Sequence, residues 1–300
     1  MELRVLNYFL TVAREQSISA AAEYLHLSQP TLSTQLKDLE NELGKQLLIR
    51  GVKGSRKVTL TEAGMILRKR AEEIMALVHI AQKEISASEE GIAGKVRIGA
   101  GESDSIRIFA KAAKRLKEKY PLVQFHIFSG NAQFVREQLD KGLIDFGVIY
   151  GAVDNSYYCS LKIPFREQWG VLMKKDSPLA AKSHITAADL WDKPLIVSAQ
   201  KNDDSALSQW LQKDISQLHV AATYNLLFNA SILVEEGLGY ALCFDNIINV
   251  GESDTLCFRP LVPAVQSEAV VIWKRYQVLS KAAQECLDEL TCDCITADNS

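Results

Sequence analysis

Residues 17–44 read SISAAAEYLHLSQPTLSTQLKDLENELG, and this stretch decides the fold of the N-terminal part of the chain. Its hydroxyl-rich start offers caps for a short helix over residues 20–25. Ser28 then caps a second helix, in which Pro30 occupies a first-turn position where a missing N–H costs nothing. Gly44 ends that helix. Two helices joined by a short break predict a helix-turn-helix unit.

The second helix has one apolar and one polar face. The leucines that recur at steps of four and three, and so share the predicted core face, are Leu32, Leu36, Leu39 and Leu43. The opposite face can enter a major groove, donate to phosphates and touch thymine methyls. Its predicted DNA-contacting residues, with those of the first turn, are Ser28, Gln29, Pro30, Thr31, Ser33, Thr34 and Lys37. An ordinary solvated helix face is the alternative for this helix taken alone.

The segments on either side extend this unit. Upstream, an apolar stripe predicts an amphipathic first helix through Leu3, Leu6, Leu10 and Ala13. Downstream, two short β-like runs at 47–50 and 58–60 flank a glycine-punctuated tip and predict a hairpin wing. Basic side chains there can bind a minor groove or its phosphates. Those of this wing are Arg50, Lys53, Arg56 and Lys57. A solvated surface loop is the alternative.

A long helix free of proline follows over residues 61–90. Apolar positions recur at alternating steps of four and three for three heptads, which is typical of a coiled-coil seam. The seam residues beyond the wing are Leu67, Ala71, Ile74, Val78, Ala81 and Ile85. A helix of roughly 40 Å is expected to pair with its copy in a second subunit. Packing on the C-terminal domain is the alternative. Two glycines then predict a hinge at 91–94.

Composition bounds the classes of function. The chain has 300 residues, 47% of them hydrophobic and 24% charged, which indicates a globular protein of two or three domains. No apolar run is long enough to span a membrane and no signal peptide is recognisable, so we expect a cytoplasmic protein without a membrane partner. The net charge of −3 divides into +4 over residues 1–70 and −7 over the remainder. The basic head favours a polyanionic partner.

Cysteine and histidine usage points away from catalysis and metals. All six cysteines lie in the second half of the chain, and only Cys292 and Cys294 are close in sequence. Without a second pair or a nearby histidine they complete no zinc site, so no metal or cofactor is expected. We interpret the cysteines as structural thiols, with a thiol-redox sensor as the alternative. The chain has neither a GxSxG elbow nor an HExxH helix, so it is not expected to be an enzyme.

From Lys95 onward, strand-like and helical segments alternate in βαβαβ order, which predicts a parallel sheet. The later strand-like segments, which predict a second sheet and a returning strand, are 170–173, 195–198, 219–222, 240–243 and 269–273. We expect two α/β lobes joined by crossovers near Pro164 and Gln266. Lobe I would comprise residues 95–164 and 267–300, and lobe II residues 165–266.

A ligand of such a fold is expected beyond the carboxyl ends of the strands, where helix N-termini suit a carboxylate or phosphate. The residues predicted to bind it are Ser103, Asp104, Ser105, Ser129, Gly130, Tyr150, Ser198, Gln200, Asn229 and Asp245. Each serine has plain helix capping as its alternative role. The acids Glu102, Asp104 and Asp245 either repel an anion or hold an amino or cationic group, which leaves the ligand's chemistry open.

The first 65 residues resemble the LysR-type transcriptional regulators. The motifs that carry the resemblance are FLTVA at 9–13, SQPTLS at 28–33, LLIR at 47–50 and LTEAG at 60–64. Leu48 stands where that family usually has an aromatic residue. The resemblance implies an α+β multidomain protein: a winged helix-turn-helix, a dimerising linker helix and a two-lobed α/β regulatory domain similar to periplasmic binding proteins. It also implies that Gln29, Pro30, Thr31, Ser33 and Lys37 face DNA, with Arg50 and the wing on its backbone.

The expected function is a sequence-specific DNA-binding transcriptional regulator controlled by a small-molecule effector bound between the two lobes. The expected domains are 1–60 for DNA binding, 61–90 for the linker, 91–94 for the hinge and 95–300 for effector binding. The expected partners are double-stranded DNA, the effector and a second copy in a homodimer or homotetramer, with RNA polymerase as a further candidate. A cytosolic solute-binding module is the alternative, but it leaves the first 90 residues unexplained.

Overall fold

The computed structural model describes residues 1–51, 57–86, 91–199, 206–251 and 255–298. The chain divides into two units, Met1–Ser86 and Ala87–Ser300. The predictions made for Lys53, Arg56 and Gln200 fall outside the described residues.

The first unit is a helix-turn-helix followed by a two-stranded ribbon and a long helix. Its elements are α1 (Leu3–Glu15), α2 (Ile18–Tyr24), α3 (Gln29–Leu43), β1 (Leu48–Arg50), β2 (Val58–Leu60) and α4 (Glu62–Ser86). The predicted caps are confirmed: Ser17 Oγ accepts the Ala20 N–H at 3.3 Å, and Ser28 Oγ accepts the Thr31 N–H at 3.2 Å. Gly44 ends α3 in the left-handed region at a φ of 64°.

The core of this unit forms where α1, α2, α3 and the ribbon meet. Phe9, Leu32 and Leu36 are fully or almost fully buried there. Two predicted core positions are wrong: Leu3 is 47% exposed and Leu43 is 39% exposed. Leu3 is the first residue of α1 and Leu43 the last of α3, so the core does not cover either helix end.

Helix α4 begins on the core of its own unit. Its first turns pack against α1: Gly64 and Ala71 are buried, and Leu67 packs partly buried against the same core. The first three turns of α4 therefore pack within their own unit. Farther along, the seam becomes open, and Ile85 is 75% exposed.

The second unit alternates strands and helices. Its α and β elements are β3 (Gly94–Ala100), α5 (Arg107–Lys119), β4 (Val123–Ser129), α6 (Ala132–Asp140), β5 (Phe146–Tyr150), β6 (Tyr158–Lys174), β7 (Leu195–Ser198), α7 (Ala206–Leu211), β8 (Val220–Tyr224), α8 (Leu227–Glu235), β9 (Tyr240–Phe244), β10 (Leu256–Pro260), β11 (Gln266–Lys274) and α9 (Lys281–Asp298). Strand β3 pairs in parallel with both β4 and β5, which confirms the βαβαβ prediction. The sequence did not predict α7 or β10.

One long strand joins the two predicted sheets into a single layer. The strand order is β4-β3-β5-β11-β6-β9-β7-β8, with β10 also on β6. Strand β6 pairs with β11 up to Gln168 and with β9 from Trp169 onward. The first crossover, expected near Pro164, lies at Gln168–Trp169. Pro164 lies inside β6, where it has no N–H to donate, and the register with β11 shifts between Glu268 and Val270.

Each lobe has its own hydrophobic core. In lobe I, the ring centroids of Phe109 and Phe146 lie 6.0 Å apart. Both rings belong to the core between the sheet and helices α5 and α9. In lobe II, Val171, Leu190 and Leu195 are completely buried together. No helix of the described residues is long and apolar enough to cross a membrane.

We predict that Gly64→Ala destabilises the protein. A Cβ atom at Gly64 would lie 2.2 Å from the carbonyl oxygen of Leu47, a backbone atom that can move only if β1 or α4 moves. Such overpacking costs about 2 kcal/mol, whereas a Gly→Ala change in an unhindered helix interior stabilises by roughly 0.5–1 kcal/mol. Urea unfolding followed by circular dichroism measures the sign of the change in the free energy of unfolding.

The matched control is Gly251→Ala, where the nearest atom to an added Cβ is Asn249 Oδ1 at 3.5 Å, an ordinary contact. The free energy of unfolding of this variant is expected to lie within about 0.5 kcal/mol of the wild-type value. A Gly64→Ala protein that is as stable as wild type would contradict the close approach.

Candidate functional site

The polar face of α3 is accessible. Gln29, Pro30, Thr31, Thr34 and Lys37 are exposed, and Ser33 is half-buried. These are the residues that the sequence assigned to DNA. The face offers amide, hydroxyl and ammonium groups, which can donate to phosphates and to base edges.

Ser28 acts as the cap of α3. Its Oγ accepts the Thr31 N–H, and it lies 2.7 Å from Thr31 Oγ1 in a hydroxyl–hydroxyl bond. The capping role is therefore confirmed for Ser28, while its contact with DNA stays a prediction. The pair also fixes the Thr31 hydroxyl at the start of the exposed face.

Arg50 lies beside this face. Its Nη1 donates to Ser33 Oγ at 3.4 Å, and its Nη2 lies 3.9 Å from Glu40 Oε2. The structure thus brings together Ser33 of the helix and Arg50 of the ribbon, as the prediction of a joint DNA surface requires. Lys57 is exposed on the same ribbon.

Sequence reasoning missed the residue that attaches the ribbon to α3. The carboxylate of Glu40 accepts the N–H groups of Leu47 at 2.7 Å and Leu48 at 3.0 Å. An acidic residue beside a leucine of the buried face was the available signal. Glu40 thereby holds the start of β1 against α3.

In the second unit, a cavity of about 120 Å³ lies where β6 changes partners. The residues lining it are Gly101, Glu102, Asn131, Ala132, Val148, Ile149, Tyr150, Trp169, Ser198, Ala206, Leu207, Tyr224, Asn225, Leu227, Phe244, Ile247 and Ser267. Tyr150 and Ser198, two of the predicted effector residues, are among them. A wider groove of about 870 Å³ on lobe II shares Trp169, Ser198 and Leu207 with it.

Most other predicted effector residues lie beside this cavity rather than on it. Asp104 pairs with Arg107 at 2.7 Å, and Asp245 accepts the N–H of Asn246. The remaining predicted residues of the described chain that do not line the cavity are Ser103, Ser105, Ser129, Gly130 and Asn229. Strand ends alone could not distinguish a residue that faces the cavity from its neighbour, whose side chain points elsewhere.

Ser103 and Ser105 belong to a buried network behind the cavity wall. Ser105 Oγ lies 2.6 Å from Ser103 Oγ and 2.9 Å from Tyr150 Oη. Tyr150 Oη donates to Glu167 Oε1 at 3.1 Å, and the Ser105 N–H donates to the same oxygen at 2.9 Å. Desolvation raises the pKa of the Glu167 carboxyl, and it also raises the pKa of the Tyr150 hydroxyl. The network fixes the orientation of the Tyr150 ring that forms part of the wall.

Aromatic side chains form one wall of the cavity, and of these the sequence singled out Tyr150 but neither Trp169 nor Phe244. The Phe244 ring centroid lies 4.4 Å from that of Trp169 and 4.8 Å from that of Tyr150. Trp169 lies at the lobe crossover, and Phe244 and Tyr150 are the last residues of β9 and β5. The position of Phe244 at a strand end was the signal that could have found it.

Glu102 joins the two lobes at the cavity. Its Oε2 accepts the N–H of Leu227, and also that of Phe228 at 3.3 Å, at the start of α8. These are N–H groups that a helix start leaves without intrahelical partners. A carboxylate of lobe I therefore caps a helix of lobe II.

Two of the cysteines, Cys243 and Cys286, are buried thiols. Burial raises the pKa of Cys243 and raises the pKa of Cys286 to about 12, so both thiols stay protonated and unreactive near neutral pH. Within the described residues, no group of His, Cys, Asp and Glu side chains could hold a metal ion.

Comparison with known families covers both units. Residues 3–65 match the bacterial regulatory helix-turn-helix protein, lysR family, and residues 89–294 match the LysR substrate binding domain. The chain belongs to the LysR family. It is a DNA-binding transcriptional regulator with an effector-binding domain.

Relatives of this LysR regulator span more than nine-tenths of its length. The Hca operon transcriptional activator HcaR of Escherichia coli is 30% identical over 285 residues, which cover 92% of each chain. The regulator BsdA of Bacillus subtilis is 29% identical over 303 residues, 96% of this chain and 99% of that protein. The crystal structure of full-length CbnR with its target DNA shares the fold at a TM-score of 0.75 and 18% identity, covering 98% of this chain and 100% of that one.

Glu167 is expected to make stability depend on pH. Because its pKa is raised in the folded protein, the folded state binds the proton more tightly than the unfolded state does, and stability falls as the pH rises through that raised value. Glu167→Gln removes this dependence. The melting temperature of the variant, relative to wild type, should therefore rise with pH between about pH 4 and pH 8.

Glu268→Gln serves as the control, because Glu268 is an exposed carboxylate on the neighbouring strand that pairs with Arg166. It is expected to show no such trend. If the melting temperatures of Glu167→Gln and wild type differ by the same amount at every pH in this range, the raised pKa of Glu167 is contradicted.

Proposed function

We propose that this regulator binds double-stranded DNA through the exposed half of α3, and that a small molecule in the 120 Å³ cavity controls this binding. The observation that carries the first part is the joint surface of α3 and β1. That surface is rich in donors, is flanked by Lys37 and Arg50, and is held together by Glu40. It supports insertion of α3 into a major groove.

The contacts divide by chemistry. Gln29, Thr31 and Thr34 carry short amide and hydroxyl groups suited to base edges, which specify sequence. Lys37 and Arg50 carry charges suited to phosphates, which supply affinity and position. Ser33, which is bonded to Arg50, would orient the guanidinium toward the backbone.

We further propose self-association, because two recognition helices read two half-sites. Two exposed apolar features support it. The open part of the α4 seam ends at Ile85, and Ile127 and Phe128 lie exposed on β4, which is the edge strand of the sheet. A tetramer and a contact with RNA polymerase stay predictions.

The cavity suits a control site because of its place in the sheet. Trp169 and Ser267 line it, and they lie on the two strands that pass between the lobes. A molecule bound there would favour one lobe arrangement over another, and thereby one arrangement of the paired DNA-binding units. We place this action in the cytoplasm, where the DNA lies, and assign the protein no enzymatic activity and no cofactor.

Lys37→Ala is expected to weaken DNA binding. Removing one phosphate contact should lower the affinity by about three- to tenfold for specific and unrelated DNA alike. It should also reduce the slope of log affinity against log salt concentration by about one. Fluorescence anisotropy on the DNA that flanks its own gene, repeated over a salt series, measures both quantities.

Lys111→Ala is the control, since Lys111 is an exposed lysine of α5 in the other unit and its loss removes the same charge. Equal losses in the two variants would show that total charge, rather than α3, carries the binding.

Ile85→Glu is expected to weaken self-association. A charge at this exposed seam position would have to be buried in a helix pair, so the dimer dissociation constant should rise by at least about tenfold. Sedimentation velocity over a concentration series measures it. Met65→Glu is the control, because Met65 is also exposed and lies about 200° around α4 from Ile85. Unchanged association in Ile85→Glu would exclude this seam.

A further inference from the structure

The polar groups of the cavity wall are unequally available to a ligand. The aromatic donors are used within the protein: Tyr150 Oη donates to Glu167 Oε1, Trp169 Nε1 donates to Ser267 Oγ at 2.9 Å, and Tyr224 Oη donates to the carbonyl oxygen of Leu242 at 2.7 Å. An anionic ligand needs donors, and these three groups have none left to give.

Glu102 supplies the cavity with its charge. Among the described residues that line it, Glu102 is the one member of the Asp, Glu, Lys, Arg and His set. Its Oε2 accepts the N–H groups of Leu227 and Phe228 at the start of α8, so its Oε1 is the oxygen available to a ligand. The amides of Asn131 and Asn225 and the hydroxyl of Ser198 are neutral.

One position beside the cavity that suits an anion is already filled. The N-terminus of a helix attracts carboxylates and phosphates, and at α8 that place is taken by the carboxylate of Glu102. A second anion in the cavity would meet this like charge at close range. At a separation of about 4 Å and an effective dielectric constant near 20, the repulsion exceeds a tenfold loss of affinity.

The rest of the wall suits the body of a small cation. The rings of Trp169, Phe244 and Tyr150 lie within 4.8 Å of their neighbours and form a continuous aromatic surface, and Leu227 and Ile247 add apolar area. Aromatic faces attract cations. A cavity of 120 Å³ is close in size to one of about 150 Å³ that holds a single benzene.

We propose that the effector is a small amine, with one ring or a branched alkyl group as its body, whose ammonium group pairs with Glu102 while its body packs on the wall of Trp169, Phe244 and Tyr150. This inference rests on the proposed role of the cavity as the control site. It makes Glu102 both the bridge to α8 and the residue that selects the charge of the ligand.

Three probes with the same ring test the charge preference: benzylamine, benzyl alcohol and benzoate, titrated into the full-length protein by calorimetry, with melting temperatures in parallel. Benzylamine is expected to bind at least about tenfold more tightly than benzoate, with the alcohol between them. In Glu102→Gln, which keeps an oxygen to accept the α8 N–H groups, the amine and benzoate should bind within about threefold of each other.

Asp104→Asn is the matched control, because Asp104 is an acid two residues away that pairs with Arg107 and does not line the cavity. It should keep the wild-type preference. Tighter binding of benzoate than of benzylamine in wild type would overturn the proposal. So would an unchanged preference in Glu102→Gln, or no binding of any probe up to about 10 mM. DNA affinity measured on the same preparations separates the outcomes, since intact DNA binding without amine binding rejects only this inference.

Discussion

The second unit depends on β6 being a single continuous strand shared by two lobes. Its first part completes the sheet of lobe I through β11, and its last part lies between β9 and β10 in lobe II. Because a strand's side chains alternate between faces, the change of partners at Trp169 brings groups from both lobes into one small space. The cavity, its aromatic wall and the Glu102 bridge all lie at this junction.

In the first unit, the comparable constraint is the attachment of the ribbon to α3. Main-chain N–H groups at the start of a strand need acceptors when they are partly buried, and Glu40 provides one for Leu47 and Leu48. Arg50 follows two residues later, so its approach to Ser33 depends on the same attachment. The exposed face of α3 and the ribbon that follows it are therefore held together by side-chain contacts between two consecutive elements.

The sequence predicted most of the architecture, because caps and periodicity are local properties. Ser17, Ser28 and Gly44 bound their helices as expected, and the residues of α3 expected to face outward do so, with Ser33 half-buried. The failures were of another kind. Leu43 satisfies the leucine spacing but lies beyond the reach of the core, and Asp245 follows a strand but bonds to its own neighbour. Burial at helix ends and the facing of side chains around a cavity depend on tertiary packing, which local spacing does not encode.

The junction of Thr61 with the ribbon gives α4 a mechanical role. The Thr61 N–H donates to the carbonyl oxygen of Leu47, and its Oγ1 donates to that of Gln46 at 2.7 Å, while Gly64 lies directly against Leu47. The start of the long helix and the start of β1 are thus joined directly by hydrogen bonds, with no long, flexible side chain between them. A torque that turns α4 about its axis would reach Leu47 within one turn of helix and, through Glu40, helix α3.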